Sequence, residues 1–128
     1  MKFLLLFSCL GFPLAAGAAD GSADAGAALF KKCTACHSAD QPVNRVGPHL
    51  VGILDRPAAS LPDYPRYSDA MKQEGARGLR WTEATLAAYI AAPRKMIPKT
   101  RMTFSGIKSE KDVADIIAYL KSLKAQPQ

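Results

Sequence analysis

The 128-residue chain has the length of one domain and a formal charge of +6, with three cysteines and two histidines. That charge suits an acidic partner, while an exported chain without a nucleic-acid-binding motif excludes nucleic acid. No apolar stretch long enough to cross a bilayer follows the N-terminal run.

Met1-Lys2 and the apolar residues 3–16 read as a leader, too short for a membrane span and followed by the small-residue exit Ala16-Gly17-Ala18. Residues 1–18 are expected to be a cleaved signal peptide and residues 19–128 the mature domain, exported to the periplasm. Loss of Lys2 with the leader leaves a charge of +5. Cys9 lies inside the run, which continues past it, so it reads as a small hydrophobe of the leader and not as a lipoprotein site. A mature chain of this size buries a limited core, and a large central cofactor would supply the missing apolar contacts.

The first helix is expected over residues 23–35. Ser22 caps it, and Gly26, Leu29, Phe30 and Cys33 share one face. Pro42, Gly47, Pro48, Gly52, Pro57, Pro62 and Pro65 make the next stretch irregular. So long a loop in a small domain makes sense when it wraps something rigid. Ser68 caps a short helix over residues 69–74. Another helix begins after Thr82, carries Leu86, Tyr89 and Ile90 on one side, and stops before Pro93. Ser109-Glu110-Lys111-Asp112 approximates a capping box for the last helix. There Val113, Ile116, Ile117 and Leu120 repeat at helical spacing, and Lys121 and Lys124 suit its negative end. No strand is expected: the class is all-α, with about four short helices.

Cys33-Thr34-Ala35-Cys36-His37 is a C-x-x-C-H motif, the signal for covalent haem attachment. Two thiols at this spacing reach the two vinyl groups of one porphyrin, and the next residue places an imidazole under the iron. A dithiol redox motif would sit near a βαβ pattern, and a zinc site would need two more ligands. Neither is visible. The second axial position requires a ligand or stays open. Met71, Met96 and Met102 are the mature methionines, and a buried methionine is more often core filler. Met102 stands out because it sits in a proline-bearing loop between two helices. His49 is an alternative ligand, expected instead to face solvent from its loop after Gly47-Pro48.

The ordered set of motifs resembles class I cytochrome c, the soluble monohaem kind of bacteria and mitochondria. It comprises Gly26-Ala27-Ala28-Leu29-Phe30, the haem motif, Gly47-Pro48-His49-Leu50, Tyr67-Ser68-Asp69-Ala70 and Trp81. It continues through Pro93-Arg94-Lys95-Met96-Ile97-Pro98 and Thr100-Arg101-Met102 to Asp115-Ile116-Ile117-Ala118-Tyr119-Leu120-Lys121. The resemblance implies one haem c on Cys33 and Cys36, with His37 and Met102 as axial ligands. It implies that the Pro48 carbonyl accepts a hydrogen bond from His37. Arg56, Tyr67 and Trp81 would contact a buried haem propionate, and Tyr89 and Thr100 would lie near Met102. Gly26 and Phe30 would meet Ile116 and Tyr119 where the first and last helices cross.

Three features depart from the family. Lys99 stands where glycine is usual, and Met71 where a polar asparagine is common. The stretch between Tyr67 and Trp81 is longer than in the mitochondrial form. The implied function is a one-electron carrier, not an enzyme, working as a monomer. Its partners would be acidic redox proteins of the cytochrome reductase, oxidase or dehydrogenase type. Lys31, Lys32, Arg94, Lys95, Lys99 and Arg101 would ring the exposed haem edge and steer such a partner. Alternatives are a haem peroxidase or gas-binding sensor with a labile methionine, and a cytochrome subunit of a larger redox enzyme.

Overall fold

A computed structural model of the chain describes residues 20–124. The expected leader, its cleavage site and Cys9 lie outside the described residues. Five helices follow one another: α1 (Ala23–Phe30), α2 (Asp69–Ala76), α3 (Glu83–Ala91), α4 (Pro93–Met96) and α5 (Glu110–Lys124). No strand occurs among the described residues; an isolated antiparallel bridge joins Pro57 to Arg80. None of these helices is long and apolar enough to cross a membrane.

The caps are where the sequence places them. Ser22, Ser68 and Thr82 accept the backbone N–H groups of Ala25, Met71 and Thr85 at 3.2, 3.0 and 3.2 Å. Ser109 does the same for Asp112 at 3.2 Å. Each such cap contributes about 1 kcal/mol by satisfying a donor that has no partner within the helix.

Two boundaries differ from expectation. α1 stops at Phe30 and does not run on to residue 35. Past that point the bonds tighten to a three-residue reach: Lys32 N to Leu29 O at 3.1 Å, Cys33 N to Phe30 O at 2.7 Å, Cys36 N to Cys33 O at 3.1 Å. The tighter winding carries the thiols and His37 off the line of α1. The second difference is α4, a fifth helix in place of plain loop. Pro93 lacks the N–H that would continue α3, and its fixed φ is ready for a first helical turn, so one residue ends α3 and begins α4.

The core forms where α1 crosses α5. Gly26 is required there, because a Cβ would strike the carbonyl of Asp115 on α5. Phe30 and Tyr119 pack with ring centroids 5.3 Å apart, tilted by 50°. Val113, Ile116, Ile117 and Leu120 all turn inward and are buried, each worth about 1.5–3 kcal/mol relative to exposure. Asp115, 2% exposed in the same seam, accepts Ser22 N at 2.7 Å and Lys111 Nζ at 2.6 Å. Its burial is thereby satisfied, and it fixes the start of α1 against α5.

The long segment between α1 and α2 carries no helix, yet it is fastened down. Ile53, Leu54 and Ala58 enter the core. Asp55 N donates to Trp81 O, Trp81 N to Arg56 O and Ala58 N to Leu79 O, each at 2.9 Å. These bonds bring Arg56 beside Trp81, across the length of α2.

Candidate functional site

The site begins at the turn after α1. His37 N donates to Cys33 O at 2.9 Å, which closes the motif on itself and sets Cys33, Cys36 and His37 on one tight loop. Both cysteines are half-buried and are not joined to each other. Burial pushes the Cys33 thiol up, against a smaller lowering by Lys32. That is the opposite of an activated redox thiol, whose environment lowers it.

The next loop clamps the imidazole. Gly47 N donates to Cys36 O at 2.8 Å and Leu50 N to Ser38 O at 2.7 Å. Gly47 lies against the ring itself: a Cβ there would collide with Cε1 of His37. His37 Nδ1 lies 2.7 Å from Pro48 O. A carbonyl can only accept, so Nδ1 carries the proton and Nε2 presents its lone pair. This is the tautomer a metal ligand needs, held by its outer partner. Burial also holds His37 below its ordinary value, outweighing the Pro48 bond, so the ring is neutral at neutral pH.

From Pro48 the contacts run onward without a break. His49 O accepts Arg56 Nη2 at 2.9 Å, and Val51 O accepts Arg56 Nη1 at 3.3 Å. Arg56 is joined through its backbone to Trp81. The Trp81 ring lies 5.0 Å from that of Tyr89, and Tyr89 OH lies 2.6 Å from Thr100 Oγ1. Thr100 Oγ1 accepts Met102 N at 3.3 Å. Tyr67 lies close enough to Arg56 for each charge to affect the other. All ten residues singled out from the sequence (Cys33, Cys36, His37, Pro48, Arg56, Tyr67, Trp81, Tyr89, Thr100 and Met102) therefore belong to one connected set. Its segments come from five separate stretches of chain, residues 33–37, 48–56, 67, 81–89 and 100–102.

The donor set fits a haem. Arg56 is a half-buried cation whose guanidinium bonds only to carbonyls, and among the described residues no carboxylate pairs with it. Burying a cation uncompensated is costly, and a haem propionate is a carboxylate of the right charge. Cys33, Leu50, Tyr67, Met96 and Met102 are apolar groups that pack against the core and are only partly buried.

Several readings change in detail. His49 was expected to face solvent. Instead it is half-buried, and its Nδ1 is fully enclosed without a hydrogen-bonding partner among the described residues. Its backbone N–H and C=O are held inside the loop by Asn44 and Arg56. Met71, at the position where the family often has asparagine, is core: 9% exposed on α2 within the apolar cluster. Lys99 has a φ of +67°, the left-handed conformation that glycine adopts freely.

Tyr64 was missed. It is 8% exposed, stacks edge-on against Tyr67 at 4.8 Å, and donates from its hydroxyl to Val46 O at 2.6 Å. The available signal was Tyr64-Pro65-Arg66-Tyr67, two tyrosines in a proline-rich loop. The six cations flanking the ligand segments are all exposed, and none takes part in an ion pair among the described residues.

Comparison with known proteins agrees with this site. The cytochrome c family model matches residues 23–124. A cytochrome c2 of Afifella marina is 46% identical over 99 residues, covering 77% of this chain and 79% of the relative. A cytochrome c2 of Rhodospirillum rubrum is 41% identical over 128 residues, covering 93% of each. Among solved structures, cytochrome cH from Methylobacterium extorquens superposes with a TM-score of 0.72 at 43% identity, covering 80% of this chain and 99% of that one. The C-x-x-C-H turn, the imidazole held by a carbonyl and the half-buried arginine bonded only to carbonyls are thus accounted for together: the chain belongs to the cytochrome c family and carries one haem c, bound covalently through Cys33 and Cys36.

Proposed function

We propose that the protein carries single electrons between redox proteins of the periplasm, with His37 and Met102 as axial ligands, after removal of residues 1–18. The haem, when bound, supplies a one-electron iron couple and exchanges no atoms with a substrate. The observation that carries this reading is the 2.7 Å bond between His37 and Pro48. It orients the ring and leaves Nε2 free to ligate, directly beside the two thiols.

The opposite side is supported by the tie from Met102 through Thr100 to Tyr89. That tie anchors the backbone of the irregular loop between α4 and α5, at Met102, to helix α3. A thioether opposite an imidazole raises the reduction potential, because soft sulfur favours the reduced metal. Arg56, Tyr67 and Trp81 provide charge and enclosure where a propionate would sit. No observation among the described residues favours a peroxidase or gas sensor.

The partner's chemistry follows from the cations. Elsewhere Lys72, Arg77, Lys111 and Lys121 pair with acids of this chain. Lys31, Lys32, Arg94, Lys95, Lys99 and Arg101 make no ion pair among the described residues, and neither do Arg45, Arg66, Arg80 and Lys108; the six beside the ligand segments are the ones whose field would meet an acidic redox protein there.

The test is a visible spectrum with a potentiometric titration of Met102→Ala, Met96→Leu and Met71→Leu. Met102→Ala is expected to lose the sulfur-to-iron absorption and lower the potential, while the other two retain the absorption. Retention in Met102→Ala would overturn the ligand assignment. Electron-transfer rates with an acidic redox protein are expected to fall as salt is added, and a rate indifferent to salt would remove the steering role.

A further inference from the structure

Tyr64 lies outside the connected set of site residues, yet its bonds lead toward both axial ligands. Its hydroxyl donates to Val46 O at 2.6 Å. Val46 directly precedes Gly47, which lies against the His37 ring, and then comes Pro48, whose carbonyl lies 2.7 Å from His37 Nδ1. Burial pushes the Tyr64 hydroxyl up, outweighing the lowering by Arg66 and Arg101, so it remains a donor at neutral pH. A second stitch lies beside it: Asn44 Nδ2 donates to Asp63 O at 3.3 Å, while Asn44 Oδ1 accepts His49 N at 2.9 Å. Just after Tyr64, Arg66 O accepts Arg101 Nη1 at 3.1 Å, and Arg101 adjoins Met102. Residues 64–66 thus join the backbone beside His37 to the segment that carries Met102, by a route separate from that through Arg56, Trp81, Tyr89 and Thr100. We propose that Tyr64-Pro65-Arg66 is a strap that fixes the spacing of the two ligand segments, with Tyr64 and Arg101 as positioning residues at its ends.

The inference rests on the assignment of His37 and Met102 as axial ligands. Two thioether bonds tether the haem next to His37, whereas Met102 sits on an irregular stretch between α4 and α5 with no covalent tie. Such a stretch opens locally at little cost unless something holds it. Tyr89 holds it through Thr100 on one side. The strap holds it at Arg101 on the other. The Tyr64 end is firm, because that ring is buried and packs edge-on against Tyr67. Pro65 stiffens the middle by fixing its own φ. A strap is a link in series: severing it at Val46 or at Arg101 releases the same restraint, so the two losses do not add. An external ligand must displace Met102 to bind, so its affinity reads how tightly that segment is held. Loss of one hydrogen bond corresponds to about a 2- to 12-fold change in that affinity.

The experiment uses the oxidised mature holoprotein, with imidazole as the external ligand. Its affinity is measured by visible titration for the native protein, Tyr64→Phe, Arg101→Ala and the double variant. The His37 Nδ1 proton resonance is recorded for each. Val113→Ala, a core truncation on α5, controls for lost stability, which guanidinium denaturation measures. Either single variant is expected to bind imidazole about 2- to 12-fold more tightly than native protein, and the double variant no more tightly than the singles. Tyr64→Phe is expected to shift the His37 resonance as well, while Val113→Ala loses stability and keeps native values for both readouts. Factors that multiply in the double variant would make the two bonds separate local contacts and overturn the strap. So would a Val113→Ala protein that binds imidazole as tightly as Tyr64→Phe at equal stability. If Met102→Ala keeps its sulfur-to-iron absorption, the ligand assignment falls. If that absorption is lost while Tyr64→Phe binds imidazole like the native protein, the strap alone falls.

Discussion

Replacing Lys99 with glycine is expected to stabilise this protein, although glycine ordinarily weakens a folded chain. Lys99 holds a φ of +67°. It follows Pro98, and Thr100 N closes back on Ile97 O at 3.1 Å. This is the signature of a type II turn with lysine at the position that requires positive φ. The side chain is exposed and makes no ion pair among the described residues, so its removal forfeits no packing. A side chain in the left-handed region costs about 1–2 kcal/mol. Glycine relieves that but loosens the unfolded chain, returning about 0.4–1 kcal/mol. The net gain is about 0–1.6 kcal/mol with a midpoint near 0.8 kcal/mol, and that midpoint corresponds to a rise in Tm of about 3–6 °C for a domain of this size. Lys99→Ala is the control, because alanine removes the charge and keeps the backbone penalty. Denaturation of the oxidised holoprotein by heat and by guanidinium would be compared across the three proteins. If Lys99→Gly proves no more stable than Lys99→Ala, the turn is not strained and the reasoning fails.

Three further outcomes are expected. Gly47→Ala would drive a methyl into the His37 ring, costing about 1–3 kcal/mol as an overpacked contact. Guanidinium denaturation reads that cost, and an unmoved His37 Nδ1 proton resonance would argue against it. Arg56→Gln would lower the reduction potential at neutral pH, because it removes the positive charge nearest the expected carboxylate; an unchanged potential would mean that Arg56 serves only the His49 and Val51 carbonyls. Asp115→Asn would alter the acid limb of stability. Lys111, and after it the Ser22 N–H, hold the Asp115 carboxyl below its ordinary value. Its stabilisation is therefore complete above the ordinary carboxylate range and is lost as pH falls through the depressed folded value. Native protein should lose stability more steeply than Asp115→Asn below about pH 4, and parallel curves in acid denaturation would contradict this.

Much of the architecture is encoded within short stretches of sequence. Ser22, Ser68, Thr82 and Ser109 mark four helix starts, because a capping hydroxyl satisfies donors two or three residues away and needs nothing else. The spacing of Val113, Ile116, Ile117 and Leu120 defines the buried face of α5 for the same local reason. The haem motif is legible because two thioether bonds and one ligand must all reach a single rigid group. The individual contacts of Arg56, Tyr67, Trp81, Tyr89 and Thr100 were legible only through likeness to a family, since nothing in their own neighbourhoods announces them.

What the chain determined alone was therefore its helix starts, its apolar faces and the chemistry of one five-residue motif, all set by interactions spanning a turn or two. Tertiary structure decided the rest. Steric contact with the Asp115 carbonyl explains why residue 26 is glycine, and the Ser22 N–H explains how an aspartate can lie buried on α5. Packing left His49 half-buried with its Nδ1 enclosed, against expectation, and placed Arg56 against carbonyls with no carboxylate partner among the described residues. These outcomes depend on which distant groups share a small volume, and burial makes an unpaired charge or polar atom expensive only once that volume has closed around it.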